Sequence, residues 1–180
     1  MDPIKEALTF DDVTLAPNYS EILPSEVKTE VKLSKHLSIS IPLLTSAMDT
    51  VTESNMAISI GKKGGIGVIH RNLSINDQIK EIRKVKAKKM LVGAAVGASL
   101  NEHIRAQKIL QENIDLIVVD TAHGHTKKVA ETIKKIKKIK PTKTALCAGN
   151  IATAEAAKFL IKQGVDIIKV GIGPGSICTT

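Results

Sequence analysis

The sequence has few of the residues that secreted, membrane-spanning or base-stacking proteins need. Its 180 residues include two cysteines, no tryptophan and 2% aromatic residues. Two cysteines are too few for a disulfide framework, and the shortage of aromatic faces argues against stacking on single-stranded nucleic acid. The apolar runs are interrupted well before the roughly 18 residues that a membrane span requires. The N-terminal segment carries Asp2, Lys5 and Glu6 without an apolar core, so we expect no secretory signal and a reduced, cytoplasmic protein.

The net charge of +8 raises the possibility of a nucleic-acid partner, but the placement of the lysines weakens it. Residues 126–143 hold much of the lysine excess, and Val129, Ile133 and Ile136 recur among them at helical spacing. This pattern is typical of an amphipathic helix whose lysines face solvent. We therefore expect neither a nucleic acid nor a membrane as a partner. A non-catalytic domain whose basic helix binds nucleic acid or another protein is the competing interpretation.

Short apolar runs alternate with helical patterns along the chain. The runs are Ile41–Leu44, Ile66–Ile69, Leu91–Val96, Asp115–Asp120, Thr144–Ala148 and Val165–Val170. They are continuous rather than alternating, as in strands of a parallel sheet that is buried on both faces. Pairs with the spacing of a capping box predict three helix starts: Thr50 with Glu53, Ser74 with Asp77, and Ser99 with Glu102. The first 40 residues instead predict an irregular or β lead-in to a set of βαβ units.

Six strands are compatible with two α/β architectures. A doubly wound sheet can stop at six strands, whereas a (β/α)₈ barrel needs eight strands and typically about 250 residues. Composition alone does not choose between them. In both architectures, functional residues lie at the carboxyl ends of the strands.

The last strand leads into the segment with the clearest functional pattern, residues 169–180 (KVGIGPGSICTT). Glycines at alternate positions let backbone amides approach an anion, and Ser176 adds a hydroxyl donor. Cys178 follows in a polar loop, where a thiolate can act as a nucleophile. The glycine spacing does not fit the dinucleotide-binding fingerprint, and a simple tight turn is the alternative interpretation. Cys147, within an apolar strand, is predicted to be a buried core residue.

Other strand ends carry polar residues that would meet at the same edge. Asp120 is placed to accept hydrogen bonds from ribose hydroxyls, and Asn150 ends the next strand. His123 and His125 form only a weak metal signal and are interpreted as loop structure, and His70 is interpreted as structural. Together these groups suit an enzyme acting on a phosphorylated nucleoside.

Six segments carry a resemblance to a known family: residues 8–13 (LTFDDV), 46–53 (SAMDTVTE), 64–72 (GGIGVIHRN), 118–125 (VVDTAHGH), 148–153 (AGNIAT) and 169–180. In order along nearly the whole chain, they resemble the inosine-5′-monophosphate (IMP) dehydrogenase family. The resemblance implies a (β/α)₈ TIM barrel, of which this chain supplies about the first six βα units. It implies an NAD-dependent oxidoreductase that converts IMP to xanthosine monophosphate in guanine nucleotide synthesis.

The resemblance also implies a role for individual residues. Cys178 would attack purine C2 to form a covalent thioimidate, with the Thr180 hydroxyl close by. Ser176, Ser46, Met48 and Asn150 would bind IMP. NAD would lie against Asp120, Thr121, Gly171 and Gly173, and the backbone carbonyls of Gly173, Gly175 and Cys178 would hold K⁺.

The chain departs from the family pattern in two places. The CBS regulatory modules that the family usually carries are absent between about residues 71 and 90. The chain also ends at Thr180, without the last two strands and the mobile flap of the family barrel. We therefore treat residues 1–180 as one portion of a catalytic barrel. We expect this portion alone to be inactive, with a second chain or segment completing the barrel in an assembly that is a homotetramer in the family. GMP reductase, which uses NADPH, is the nearest alternative.

Overall fold

The computed structural model describes Leu8 and residues 12–171, and the elements of that part alternate between strands and helices. A short 3₁₀ turn at Pro24–Glu26 precedes the first strand. The strands are β1 (Val31–Lys32), β2 (Ser38–Ile39), β3 (Leu44–Thr45), β4 (Ile66–Ile69), β5 (Val92–Val96), β6 (Leu116–Asp120), β7 (Ala145–Ile151) and β8 (Ile167–Val170). The helices are α1 (Ser54–Lys62), α2 (Ile75–Ala87), α3 (Leu100–Leu110), α4 (Lys127–Ile139) and α5 (Ala154–Gln163).

The strand order decides between the two architectures. In the described part of the chain, β3 to β8 form one six-stranded parallel sheet in strictly sequential order. A doubly wound sheet reverses its strand order at a switch point, and no reversal occurs among these strands. The sheet curls into a half-barrel, which confirms the predicted TIM-barrel class.

The two faces of the sheet have different coverings, as a barrel requires. One face packs against the helices and includes Ile69, Ile117 and Leu146, all fully buried. The other face, formed by residues such as Val68 and Val118, carries no helix in the described residues and is covered in part by the β1–β2 hairpin. Burying each large aliphatic side chain contributes roughly 1.5–3 kcal/mol, so the helix-covered face supplies much of the stability.

The helix starts agree with the sequence at one predicted cap and differ at two. Ser74 caps α2, since its hydroxyl oxygen accepts a hydrogen bond from the Asp77 amide at 3.1 Å. The cap predicted at Thr50 is wrong, because the chain turns back over residues 48–52 and α1 begins only at Ser54. Ser99 does precede α3 but makes no side-chain cap, because the Glu102 amide donates to the Ser99 carbonyl oxygen, and the Glu102 carboxylate accepts from the Gly97 amide.

Strand boundaries follow the apolar runs closely except at the first strand. The apolar run at 41–44 predicts a strand over those residues, but β3 is shorter and begins at Leu44. The amides of Ser40 and Ile41 both donate to the Gly64 carbonyl oxygen, which removes them from the ladder. At the other end of the sheet, β7 continues to Ile151, because Ile151 pairs with Val170 after a shift in register between Gly149 and Ile151. No helix among the described residues is long and apolar enough to cross a membrane.

Candidate active site at the carboxyl edge of the sheet

The polar residues singled out from the sequence lie at the same edge of the sheet. Parallel strands have their carboxyl ends at the same edge of the sheet, so the segments after β3, β6, β7 and β8 all lie along that edge. Asp120 is the last residue of β6, and Asn150 lies at the end of β7. The loop that carries Ser46 and Met48 follows β3. The predicted rim therefore exists as a physical surface.

An ion pair joins two neighbouring parts of this rim. The Nζ atom of Lys169, in β8, donates to Oδ1 of Asp120 at 2.8 Å, and both side chains are partly buried. Gly149 lies between them in the sheet and has no side chain to separate them. The other carboxylate oxygen, Oδ2, has no hydrogen-bond partner among the described residues. The ion pair holds Asp120 in place and leaves one acceptor for a ligand.

Backbone hydrogen bonds tie the loop after β6 to the end of β7. The amide and the hydroxyl of Thr121 donate to the Gly149 carbonyl oxygen at 2.9 and 2.8 Å. The Asn150 amide donates to the Thr121 carbonyl oxygen at 2.7 Å, and the Gly124 amide donates to the Asn150 carbonyl oxygen at 2.7 Å. The peptide bond between Gly149 and Asn150 is cis.

The Asn150 side chain is not used by this network. Its Oδ1 atom is buried and has no hydrogen-bond partner among the described residues. Buried polar atoms in folded proteins are nearly always hydrogen-bonded, so Oδ1 of Asn150 is an acceptor that the described residues leave unsatisfied.

The loop after β3 is held in shape by its own hydrogen bonds. The Thr52 hydroxyl donates to the Ser46 carbonyl oxygen at 2.5 Å. The amides of Val51 and Thr52 both donate to the Met48 carbonyl oxygen at 3.0 Å. The Met48 side chain is 55% exposed, so it lies outside the core and is accessible at the rim.

His70, which follows β4, also helps to hold the loop after β3. Its Nδ1 atom accepts a hydrogen bond from the Asn72 amide at 3.1 Å, which places the ring proton on Nε2. That nitrogen faces Oε1 of Glu53 at 3.4 Å. The Asn72 side-chain amide donates to Oδ2 of Asp49 at 2.8 Å. His70 is therefore a buried structural residue that anchors the loop carrying Ser46 and Met48.

The other two histidines singled out from the sequence make aromatic ring contacts in the described part of the chain. The rings of His123 and His125 lie 6.5 Å apart, and His125 packs against Phe159 at 4.7 Å. Among the described residues, no group of three His, Cys, Asp or Glu side chains could hold a metal ion. Their interpretation as loop structure agrees with these contacts.

Comparison with known proteins identifies the family. A family model described as "IMP dehydrogenase / GMP reductase domain" matches residues 7–180. The chain belongs to this family. A protein named inosine-5′-monophosphate dehydrogenase in Borreliella burgdorferi is 44% identical over 226 residues, covering 98% of this chain and 56% of the relative. Proteins of the same name in Cryptosporidium parvum and Staphylococcus saprophyticus are 40% and 32% identical, covering 98% of this chain and 54% and 62% of the relatives.

The chain thus spans a little over half the length of these IMP dehydrogenase relatives. The family's cysteine loop lies almost wholly outside the described residues: Gly173, Gly175, Ser176, Cys178 and Thr180 all do. Gly171, directly after β8, is described and has a φ of +139°, a backbone conformation that favours glycine. The predicted roles of these residues stay predictions.

The second cysteine of this family member is a core residue. Cys147 is buried in β7, and burial raises the pKa of its thiol to about 12, although the Lys169 ammonium acts in the opposite direction. A thiol with this pKa is protonated at neutral pH and is a poor nucleophile. The sequence-based assignment of Cys147 to the core agrees with its position.

Sequence reasoning missed Lys169 as a member of the site. Its signal was available, because a lysine inside the apolar run at 165–170 needs either solvent or a counter-charge. The register that places it beside Asp120 could not be deduced without the strand order.

Proposed function

We propose that this chain forms the nucleophile-bearing part of an NAD-dependent IMP dehydrogenase barrel. The observation that supports this most strongly is the convergence of Asp120, Thr121 and Asn150 on one rim, in a chain that matches the family over residues 7–180. Ser46 and Met48 lie on the same edge, after β3.

Two features of the described rim support the proposal of a dinucleotide there. The free Oδ2 of Asp120 can accept a hydrogen bond from a ribose hydroxyl, and the Lys169 ammonium keeps the carboxylate in one orientation. A Cβ added at Gly171 would meet no heavy atom of the described residues within 4 Å. When bound, NAD⁺ accepts the hydride that leaves C2 of the purine.

The chain's own part of the chemistry is carried by Cys178. We propose that its Sγ bonds to C2 of IMP while the hydride departs from C2, which leaves a thioimidate. Water then adds to C2, the C–S bond breaks, and xanthosine monophosphate and the thiol are released. Ser176 would bind the IMP phosphate, with Ser46, Met48 and Asn150 against the nucleoside, and Thr180 would stay close to the nucleophile. A K⁺ ion on the carbonyls of Gly173, Gly175 and Cys178 would order this loop.

We further propose that the active form is a cytoplasmic homotetramer in which other residues complete the barrel. A cavity of about 270 Å³ on the inner face, lined by Val68, Val118 and Cys147, supports the completion of the barrel by other residues. Residues 88–91 connect α2 directly to β5, which supports the absence of CBS modules from this chain. The Staphylococcus saprophyticus alignment runs over 303 residues against the 180 here, in keeping with an insertion in that relative.

A chimera tests this proposal. In it, the 180-residue chain replaces the matching segment of the Borreliella burgdorferi relative. We expect IMP-dependent formation of NADH by the chimera and none by the 180-residue chain alone. Cys178→Ser should abolish turnover, whereas Cys147→Ser, the matched control, should retain it.

Two outcomes would contradict the proposal. One is a folded chimera that oxidises no IMP, and the other is equal loss of activity in both cysteine variants. Turnover of GMP with NADPH in place of IMP with NAD⁺ would instead assign the chain to the GMP reductase branch, because the matching family model covers both activities.

The Asp120–Lys169 ion pair provides a second test in the chimera. Lys169→Met removes the charge that orients Asp120, so we expect KM for NAD⁺ to rise by about tenfold with a smaller change in kcat. Lys169→Arg should restore most of the affinity, because a guanidinium can also pair with the carboxylate. A change in kcat alone would argue against this role.

A further inference from the structure

A cavity of about 610 Å³ lies between the first turns of α3 and α4, on the helix side of the sheet. It is lined by Ala98, Ser99, Asn101, His103, Lys128, Glu131, Thr132 and Lys135. None of these residues belongs to the site proposed above. The volume is within the usual range for small-molecule sites, which is roughly 300–1,000 Å³.

The α4 wall of this cavity is basic. Lys128, Thr132 and Lys135 are spaced so that they share one face of the helix. The ammonium groups of Lys128 and Lys135 have no hydrogen bond or ion pair with any described residue. Glu131 is the one acidic residue of α4 and also lines the cavity, but it forms no ion pair with either lysine. The α4 wall therefore carries two ammonium groups without a described partner and one carboxylate.

The α3 wall supplies neutral polar groups. The Nδ1 atom of His103 is buried and has no hydrogen-bond partner among the described residues. Thr132, across the cavity, is also buried. A buried ring nitrogen without a partner is unfavourable, and a ligand oxygen in the cavity would satisfy it once the Nδ1 tautomer carries the proton.

We propose that this cavity binds the phosphate group of a small phosphorylated molecule. Lys128 and Lys135 contact the phosphate oxygens, and His103 donates a hydrogen bond from Nδ1. Two ammonium groups around a hydrogen-bond donor suit a phosphate better than a carboxylate, because a phosphate offers more oxygens and more charge. The volume of the cavity fits one small molecule. The inference does not depend on the dehydrogenase proposal.

The test is a titration of the ¹⁵N-labelled 180-residue chain, followed by NMR at constant ionic strength. Inorganic phosphate, ADP and NAD⁺ are the three probes. We expect saturable shifts confined to residues 98–103 and 128–135. Lys128→Ala combined with Lys135→Ala should weaken binding by about tenfold or more, and Glu131→Gln should strengthen it by about threefold.

The matched control is Lys134→Ala combined with Lys138→Ala. It removes the same charge from the same helix, at exposed positions that do not line the cavity, so binding should change by less than about twofold. Equal weakening in the two double variants would mean general attraction to a basic surface and would overturn the proposal. Non-saturable shifts would overturn it as well.

The three probes distinguish possible sources of the phosphate. Tighter binding of ADP than of phosphate, with NAD⁺ similar to ADP, would identify a dinucleotide subsite. Tighter binding of ADP with no binding of NAD⁺ would identify a mononucleotide site, and equal binding of phosphate and ADP would identify a site for the phosphate group alone. If the isolated chain gives a poorly dispersed spectrum, the same variants are measured in the chimera by calorimetry.

Discussion

Replacement of Glu102 by alanine should destabilise the protein far more than replacement of a glutamate whose arginine partner is exposed to solvent. Glu102 and Arg105 are both 11% exposed and form an ion pair at 3.1 Å. The second oxygen of Glu102 accepts a hydrogen bond from the Gly97 amide at 2.5 Å. Arg105 also donates to Oε1 of Gln78 at 2.8 Å and to the Leu73 carbonyl oxygen at 3.0 Å. One carboxylate thus connects the end of β5 to α2 and α3.

The expected magnitude follows from what the substitution leaves behind. Glu102→Ala leaves the Arg105 guanidinium buried without its counter-charge and the Gly97 amide without an acceptor. Breaking a buried pair from one side typically costs about 3–5 kcal/mol in the free energy of unfolding. Glu102→Gln keeps an acceptor for the Gly97 amide and loses only the charge, so its cost should be about 1–3 kcal/mol.

The assay is equilibrium urea unfolding of the 180-residue chain, followed by far-ultraviolet circular dichroism. Glu112→Ala is the control, because Glu112 is itself only 16% exposed but pairs with Arg83, whose side chain is 68% exposed and stays hydrated when the partner is removed. We expect the order Glu102→Ala, then Glu102→Gln, then Glu112→Ala, with the last close to the unmodified chain. Equal destabilisation by the two alanine substitutions would refute the assignment of the Glu102 network as a buried connection.

Two further predictions concern the packing of the sheet and the reactivity of the thiols. Gly67→Ala should lower the free energy of unfolding by roughly 1–3 kcal/mol, because the new Cβ would lie 2.5 Å from the Ala57 Cα atom. Gly93→Ala should cost less, since the closest neighbour of its new Cβ is a side-chain methyl at 3.1 Å. Urea unfolding compares the two variants, and equal destabilisation would contradict the predicted clash at Gly67. With a pKa of about 12, the Cys147 thiol is ionised in about one molecule in 10⁴ at pH 8, so a thiol reagent should label it only after unfolding. Cys178, the proposed nucleophile, should be labelled quickly. Rapid labelling of two thiols in the folded chain would contradict the burial of Cys147.

The sequence predicted the strands well because their signal is local. A strand buried on both faces must be apolar at every position, and the run at 66–69 gives β4 with the same boundaries. The helix does not begin at Thr50 for a non-local reason. The segment after Thr50 is held by the hydrogen bond from the Thr52 hydroxyl to the Ser46 carbonyl oxygen and by one from the His70 amide to the Thr52 carbonyl oxygen. A capping pattern records only local spacing, so a competing tertiary contact is invisible to it.

The choice of architecture could not be made from the alternation of strands and helices. Both the doubly wound sheet and the barrel have the same local pattern, and they differ in the direction in which each new strand is added. Here every strand from β4 to β8 pairs with its predecessor, and the helices occupy one face. Only the family resemblance, which depends on specific residues, pointed to the barrel before the strand order was known.

At the polar rim, backbone groups and side chains have different roles, and this difference determines what a side-chain substitution there will change. The loops after β6 and β7 are tied by the amides of Thr121, Gly124 and Asn150, and not by the side chains of Asp120 and Asn150. Removing the Asn150 side-chain amide should therefore leave the loops joined, because none of its atoms takes part in a described hydrogen bond. The loops are held by these backbone amides and the Thr121 hydroxyl, so replacing the Asn150 side chain tests its role at the rim without separating the loops.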